Sequence, residues 1–568
     1  MKRGMIFLLI GVIGLSASWA AFQGARAEEP AFSRYCPAGA LLYVQAKDFS
    51  SLLSDWNDSP RKRQWVKSAN YEVFLNSRLS LRLKAASAQF AAAAGLPPDD
   101  IFLKQVAGRQ SALAIYDIGK LQFLYITQLP SAGYMESALW QARGKFEVRN
   151  AAGTPFFCRH DPESQAEVAF AVNGDHLLLA TREDLLAGAL QFFAGSKDRS
   201  IEAEQWWAQA IAAAGPAGDL RMVLNLEKIV PSPYFRSYWI QRNITDMKQY
   251  SSAVSDLFRA GKEYREERVL LKKTSPATAA AENDGASGVA ELARLVPSHA
   301  GMYEAKANPS PTECFELLES KILAPHLGPA AAEKLAPQVV LTSGETGSGS
   351  DLETRIDQRT VPQSVASDSG ASLKALLQRN PVRALLQVQT TERDKDGVFV
   401  RFHSSFVFLG ESDWNEAAVR SALVDFARPN LTAGQLGVEW QARSGVQELN
   451  GLWNLVIVAR GKNLFLSDQQ ALLNAMLVNV NQKVVLKPAM LAAGFDHGRE
   501  RENFGRLTSL LDRSSSEPGA PGTAHTHEFF SDNIQSLSST LASLSSEKVL
   551  VRDAGDKVLE TVTYEWVR

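Results

Sequence analysis

The sequence predicts an α+β protein of two tandem related units, each a mainly antiparallel sheet with packed helices. Three observations carry that expectation. First, residues 168–190 (VAFAVNGDHLLLATREDLLAGAL) resemble residues 455–477 (LVIVARGKNLFLSDQQALLNAML) at a constant offset of 287. Gly174, Leu177, Leu179, Leu185, Leu186 and Leu190 then fall on Gly461, Leu464, Leu466, Leu472, Leu473 and Leu477, the pattern of strand, glycine turn, strand and amphipathic helix. Second, hairpin signals recur along the chain. Third, strands and helices mix without the regular spacing of βαβ units.

From the N-terminus, Lys2 and Arg3 precede an apolar run from Met5 to Leu15, and Ala25-Arg26-Ala27 supplies a small-x-small cleavage pattern. The run is shorter than the roughly 20 residues a spanning helix needs. Residues 1–27 therefore read as a signal peptide cleaved after Ala27. Cys36 lies nine residues beyond that point, so a lipoprotein anchor is not indicated, and no later stretch holds 18 uncharged apolar residues. The mature chain is expected to be exported, periplasmic or secreted, with no transmembrane segment after signal cleavage.

The first copy is assigned to residues 28–273. It opens on PAGALLYVQAKD, whose Pro37, Ala40 and Tyr43 match Pro297, Ala300 and Tyr303 of PSHAGMYEAKAN. Tyr71 to Ala94, rich in Ala, Leu and Arg, reads as a long helix stopped by Gly95-Leu96-Pro97-Pro98. Ser111–Asp117 and Leu121–Leu129 alternate apolar residues about a turn, a hairpin. Residues 132–143 read as helix, and Phe146–Val148 and Pro155–Cys158 as short strands. Thr274–Gly288 is rich in Ala, Ser, Gly and Asp, so residues 274–292 read as a flexible linker. The second copy takes residues 293–568, with Val398–Leu409 and a helix from Trp414 to Phe426 in the corresponding places. Ser137-Ala138-Leu139 matches Ser421-Ala422-Leu423, and Ser251-Ser252 with Leu257 matches Ser538-Ser539 with Leu544. Ser343–Asp351 and Ser514–Thr523 read as surface loops, and the C-terminus as a hairpin of Lys548–Arg552 with Val558–Val567.

Composition narrows the function. Sixty Lys and Arg against 62 Asp and Glu give a net charge of −2, and loss of Lys2, Arg3 and Arg26 with the signal takes it to −5. Nothing in that balance recruits nucleic acid. The chain has no G-x-x-x-x-G-K-[ST] loop, H-E-x-x-H, G-x-S-x-G, C-x-x-C or EF-hand loop, so no cofactor is expected. With three cysteines, one disulfide is the maximum, and small buried hydrophobes are the simpler reading of Cys36, Cys158 and Cys314.

Four features bear chemistry. Cys158-Arg159-His160-Asp161 joins a thiol and an imidazole on one face of a strand, the candidate catalytic pair of a hydrolase; a polar strand rim is the simpler reading. Cys314 sits in the first turn of a helix announced by Ser310-Pro311-Thr312-Glu313, beside Phe315, Leu318 and Ile322, where packing is expected. His525 and His527, with Glu528, are candidate metal ligands on what otherwise reads as a solvated loop. Trp206, Trp207, Tyr234, Phe235, Tyr238 and Trp239 hold more ring area than a loop normally exposes, and form the candidate binding region.

The signal peptide, the P-x-x-A-x-x-Y strand, VAGRQSALAIYDIGKLQFLYIT and FAVNGDHLLLATREDLL together resemble a family of large exported bacterial proteins of unknown function. The resemblance spans most of the first copy and, more faintly, the second, and implies export and duplication with no site residues. The expected function is a non-enzymatic binding or scaffold role in the cell envelope, with an envelope protein or a small apolar or carbohydrate ligand as partner. An envelope hydrolase with its site in the first copy, or a lipid or small-ligand carrier, is the alternative.

Overall fold

In the computed structural model, the near-continuous apolar runs VAFAV and HLLLA become strands buried on both faces, as central strands covered on two sides must be. The structure describes residues 31–67, 71, 74–76, 78–133, 138–232, 247–273, 279–323, 370–393, 400–431, 439–443, 445–450, 455–503 and 544–567. Of these, 31–273, 544–545 and 554–567 form unit one, and 279–503 with 546–553 form unit two. Among the described residues, no helix is long and apolar enough to cross a membrane. The signal segment lies outside them.

Unit one contains β1 (Leu42–Ala46), β2 (Ser111–Asp117), β3 (Gln122–Gln128), β4 (Glu147–Ala151), β5 (Thr154–His160), β6 (Glu167–Asn173), β7 (His176–Ala180), β8 (Leu220–Asn225), β9 (Tyr250–Ala260) and β10 (Glu263–Lys272). Every pairing is antiparallel, in the order β4-β5-β6-β7-β3-β2-β1-β8-β9-β10. Period-two alternation sends Ala169, Ala171 and Leu178 to one face, and Val168, Phe170, Leu177 and Leu179 to the other. On the second face lie α1 (Arg78–Ala94), α2 (Asp100–Val106) and α3 (Ala138–Ala142), contributing Phe90, Phe102 and Leu139. On the first lie α4 (Glu183–Phe193) and α5 (Gln205–Ala213), contributing Leu186, Leu190 and Trp207. The long helix ends as its sequence requires: Gly95 adopts a left-handed φ of +68° and its N–H donates to the Ala91 carbonyl.

Unit two contains α6 (Ala279–Ala293), β11 (Met302–Ala307), α7 (Pro311–Leu318), α8 (Ala371–Arg379), β12 (Val382–Arg393), β13 (Val400–Gly410) and α9 (Glu416–Leu431). There follow β14 (Glu439–Arg443), β15 (Val446–Asn450), β16 (Leu455–Arg460), β17 (Asn463–Ser467), α10 (Gln470–Val478), β18 (Leu491–Asp496) and, from Ser546 onward, β19 (Leu544–Asp553). Its antiparallel order is β14-β15-β16-β17-β13-β12-β11-β18-β19. One face buries Phe406, Phe408, Leu464 and Leu466 under α7, α8 and α9; the other buries Val407, Leu409 and Phe465 under α6 and α10. Cys314 packs in the first of these cores behind a Ser310 cap whose Oγ accepts from the Glu313 N–H at 3.1 Å. Burial pushes its thiol up to about 12.

Two boundaries differ from the sequence reading. Residues 279–293 are not a flexible linker but the helix α6, whose Val289 and Leu292 are fully buried. Alanine is the best helix former, and the glycines that suggested flexibility stand where the helix is closely approached: a Cβ would meet the Asn308 side chain at Gly285, and Ala384 and Leu409 of the sheet at Gly288. The closing strand β20 (Lys557–Trp566) runs antiparallel to β10, so it lies in unit one, whereas the sequence reading gave all of 293–568 to the second copy. What fixes it there is visible in the register: Tyr264 stands opposite Tyr564, and Arg268 is held between Glu266 and Glu560, the latter at 3.2 Å. Along this strand Val562 and Trp566 are buried, while Val558 and Tyr564 on the same face are partly buried. The loops at 343–351 and 514–523 lie outside the described residues.

Candidate functional site

The hairpin of β5 and β6 is closed by a turn that its own sequence specifies. Asp161 accepts from the Ser164 hydroxyl and from the Ser164 N–H, the latter at 2.8 Å; the hydroxyl bond first and the N–H bond second hold its carboxyl below the usual range, and the Asp161 N–H donates to the Ala166 carbonyl. That turn sets a register in which His160 faces Glu167 and Cys158 faces Ala169. Cys158 and His160, two residues apart, share one face, as the strand period predicts. Arg159 points the other way, where a side chain on Gly95 would collide with its guanidinium.

The result is a thiol, an imidazole and a carboxylate together. The Cys158 thiol donates to Glu167 Oε1 at 3.3 Å, and His160 Nε2 lies 3.5 Å from Glu167 Oε2. One donor atom from each residue falls within 4.8 Å of the other two. Cys158 is buried, Glu167 partly so, and the His160 side chain is half exposed. Burial first, then the hydrogen bond and charge of Glu167, push the thiol up to about 12. A thiol so held stays protonated at neutral pH, the opposite of what a cysteine nucleophile needs. Close by, Arg149 is clamped between Glu183 and Glu147, the latter at 3.0 Å.

Sequence reasoning found Cys158 and His160 but missed Glu167, which joins them only through the hairpin register. Of the remaining candidates, Trp206 and Trp207 lie on α5. Trp207 is buried in the core, edge-on to Tyr43 at 5.0 Å, and Trp206 packs against it at 5.8 Å; ring burial in α5, not a groove, accounts for the pair. Tyr234, Phe235, Tyr238, Trp239, His525 and His527 lie outside the described residues. Cys36, Cys158 and Cys314 are all free thiols.

An open pocket of about 360 Å³ in unit one is lined by Tyr116, Arg182, Asp184, Asp198 and Arg199 among others. Pro37, Leu185 and Phe192 share the wall with those charged groups, so it is mixed in character and not the mainly apolar cavity a lipid carrier requires.

Unit two holds a titratable cluster the sequence did not reveal. His403 on β13 has Nδ1 3.7 Å from Asp468 Oδ1 and Nε2 3.3 Å from Glu392 Oε2. Asp468, through its hydrogen bond and charge and aided by Glu392, raises the imidazole above its ordinary value against the effect of burial. A raised folded-state value means that the stabilisation is complete below the unfolded value of about 6.5 and is lost as pH rises through the folded one. Unit two is therefore expected to lose stability on going from about pH 6 to pH 9, and His403→Gln to flatten that dependence. Urea titrations followed by hydrogen exchange in β13 and β17 check this; an unchanged slope in the variant would refute it.

No protein-family model and no curated protein matches the chain. Among solved structures, crystal form I of TP0453 aligns over 44% of this chain and 82% of its own at 9% identity, with a TM-score of 0.22, a likeness too slight to show a shared fold.

Proposed function

We propose that this is an exported, periplasmic protein of two related α+β units, a member of the exported family it resembles, which acts by binding a component of the cell envelope and not by catalysis. One observation carries the reading: a scaffold recurs while its polar residues do not. The nine-strand order of unit two repeats that of β1 to β9, with the turn glycines Gly174 and Gly461 both at a φ of +58°. The helix after β7 buries Leu185 and Leu186, and the helix after β17 buries Leu472 and Leu473. Yet Cys158, opposite Ala169, corresponds in register to Glu448, opposite Val456, and His160 corresponds to Asn450. What a duplication keeps in both halves is what both halves need, and here that is turns and core. The spacing is not uniform: hairpin glycines Gly261 and Gly555 stand 294 positions apart, and Ser538 and Ser539 lie outside the described residues.

Fractionation should find the chain in the periplasm with its first 27 residues removed, and in-cell crosslinking should capture the same envelope component repeatedly. Turnover of a substrate by the purified protein, with no reproducible crosslinked partner, would overturn the reading.

A further inference from the structure

We propose that Cys158, His160 and Glu167 form a binding site for a borderline-soft divalent cation of the zinc class, on the β5–β6 hairpin of unit one. The inference stands apart from the envelope-binding role and needs only the geometry of the hairpin. A tetrahedral zinc bound at about 2.0–2.3 Å sets neighbouring donor atoms roughly 3.3–3.7 Å apart. Glu167 Oε1 already stands 3.3 Å from the Cys158 sulfur and Oε2 3.5 Å from the His160 Nε2, and one donor atom from each residue lies within 4.8 Å of the other two, so side-chain adjustments of about 1 Å bring the three donors to an ion. The backbone supplies the spacing: a directly opposed pair and a residue two positions along one strand converge on one face.

The donor set selects the metal. Thiolate and imidazole suit zinc-class ions, whereas magnesium and calcium prefer oxygen alone. On binding, the S–H bond of Cys158 gives way to a sulfur–metal bond and its proton passes to solvent; Cys158 and Glu167 then bring two negative charges to a doubly charged ion. Arg149 does not oppose this, because Glu147 and Glu183 already offset its charge. With three protein donors and a half-exposed imidazole, one coordination position faces solvent, the form of an open site and not of a closed structural one.

The test uses the full chain, stripped with a chelator and titrated first with Co²⁺ and then with Zn²⁺. One equivalent of Co²⁺ should produce a thiolate-to-cobalt charge-transfer band that Zn²⁺ displaces. Cys158→Ser should abolish the band, while Cys36→Ser and Cys314→Ser retain it. His160→Gln, at a half-exposed position where misfolding is not a concern, should weaken affinity at least about tenfold, since even outer-shell partners of a metal contribute 10–100-fold. No band in the parent chain would overturn the proposal. So would a band that follows Cys36 or Cys314, or binding that survives both His160→Gln and Glu167→Gln. Binding lost with His525→Gln and His527→Gln but not with Cys158→Ser would equally overturn it.

Discussion

Asp256→Asn should destabilise unit one by about 3–5 kcal/mol, the usual consequence of leaving one buried charge without its partner. Asp256 on β9 stands opposite Arg221 on β8. Its two oxygens accept from Arg221 Nε and Nη2, both at 2.8 Å, and Oδ1 also accepts from the Gly218 N–H at 3.0 Å. The two side chains are only 12% and 5% exposed. Such a planar, bidentate pair is far from the solvated surface bridges that contribute about 0–1 kcal/mol. The amide of asparagine keeps the shape and one acceptor but leaves the guanidinium charge uncompensated. The double substitution Arg221→Met with Asp256→Leu removes both charges, and should recover most of the loss, because buried pairs replaced by apolar residues are often neutral in stability. Urea unfolding with hydrogen exchange at the β8 and β9 amides distinguishes the cases. A loss below about 1 kcal/mol in Asp256→Asn would mean that water solvates the pair.

How far the sequence foretold this molecule depends on whether a feature is set by neighbours along the chain or across it. Period-two alternation placed Ser111–Asp117 and its partner strand within a residue of β2 and β3, because alternation is a local property. The capping residues Ser310 and Pro311 marked the start of α7 for the same reason. Cys158 and His160 were assigned to one face from strand geometry alone. Glu167, seven residues past His160, joins them through the Asp161–Ala166 turn, and which residues face each other across a hairpin depends on the turn's length and type. His403 lies on β13 and Asp468 just past the end of β17, strands that pair only in the folded sheet, and no local pattern announces them. Trp206 and Trp207 were read as excess ring area because the residue that receives Trp207, Tyr43, is remote in sequence. Strand β20 could not be assigned to unit one locally, since its partner β10 precedes the whole of unit two.

The segment at 274–292 is the sharpest case, and Gly288→Val tests it. Were the segment a solvated linker, the substitution would change stability by no more than about 0.5 kcal/mol, as surface changes do. In α6, a Cβ at Gly288 would lie 2.9 Å from the Ala384 Cβ on β12 and 2.9 Å from Leu409 Cδ2 on β13. Leu409 can yield by changing rotamer, but the Ala384 methyl is fixed to the strand, so the helix itself must lift. Val289, Leu292 and Leu295 would then withdraw from the core they fill. Overpacking of this kind typically costs about 1–3 kcal/mol, and with strand atoms on both sides the upper end is expected. Helix propensity works the other way, since valine in place of glycine removes part of a penalty of about 1 kcal/mol. The contact outweighs it, so Gly288→Val should destabilise unit two by about 2 kcal/mol, with faster hydrogen exchange in α6 and β12. Gly288→Ala, carrying the propensity gain with the smallest overlap, should lose less than half as much. Equal, negligible effects from both substitutions would return the segment to a linker and leave the β12 face to be covered by something else.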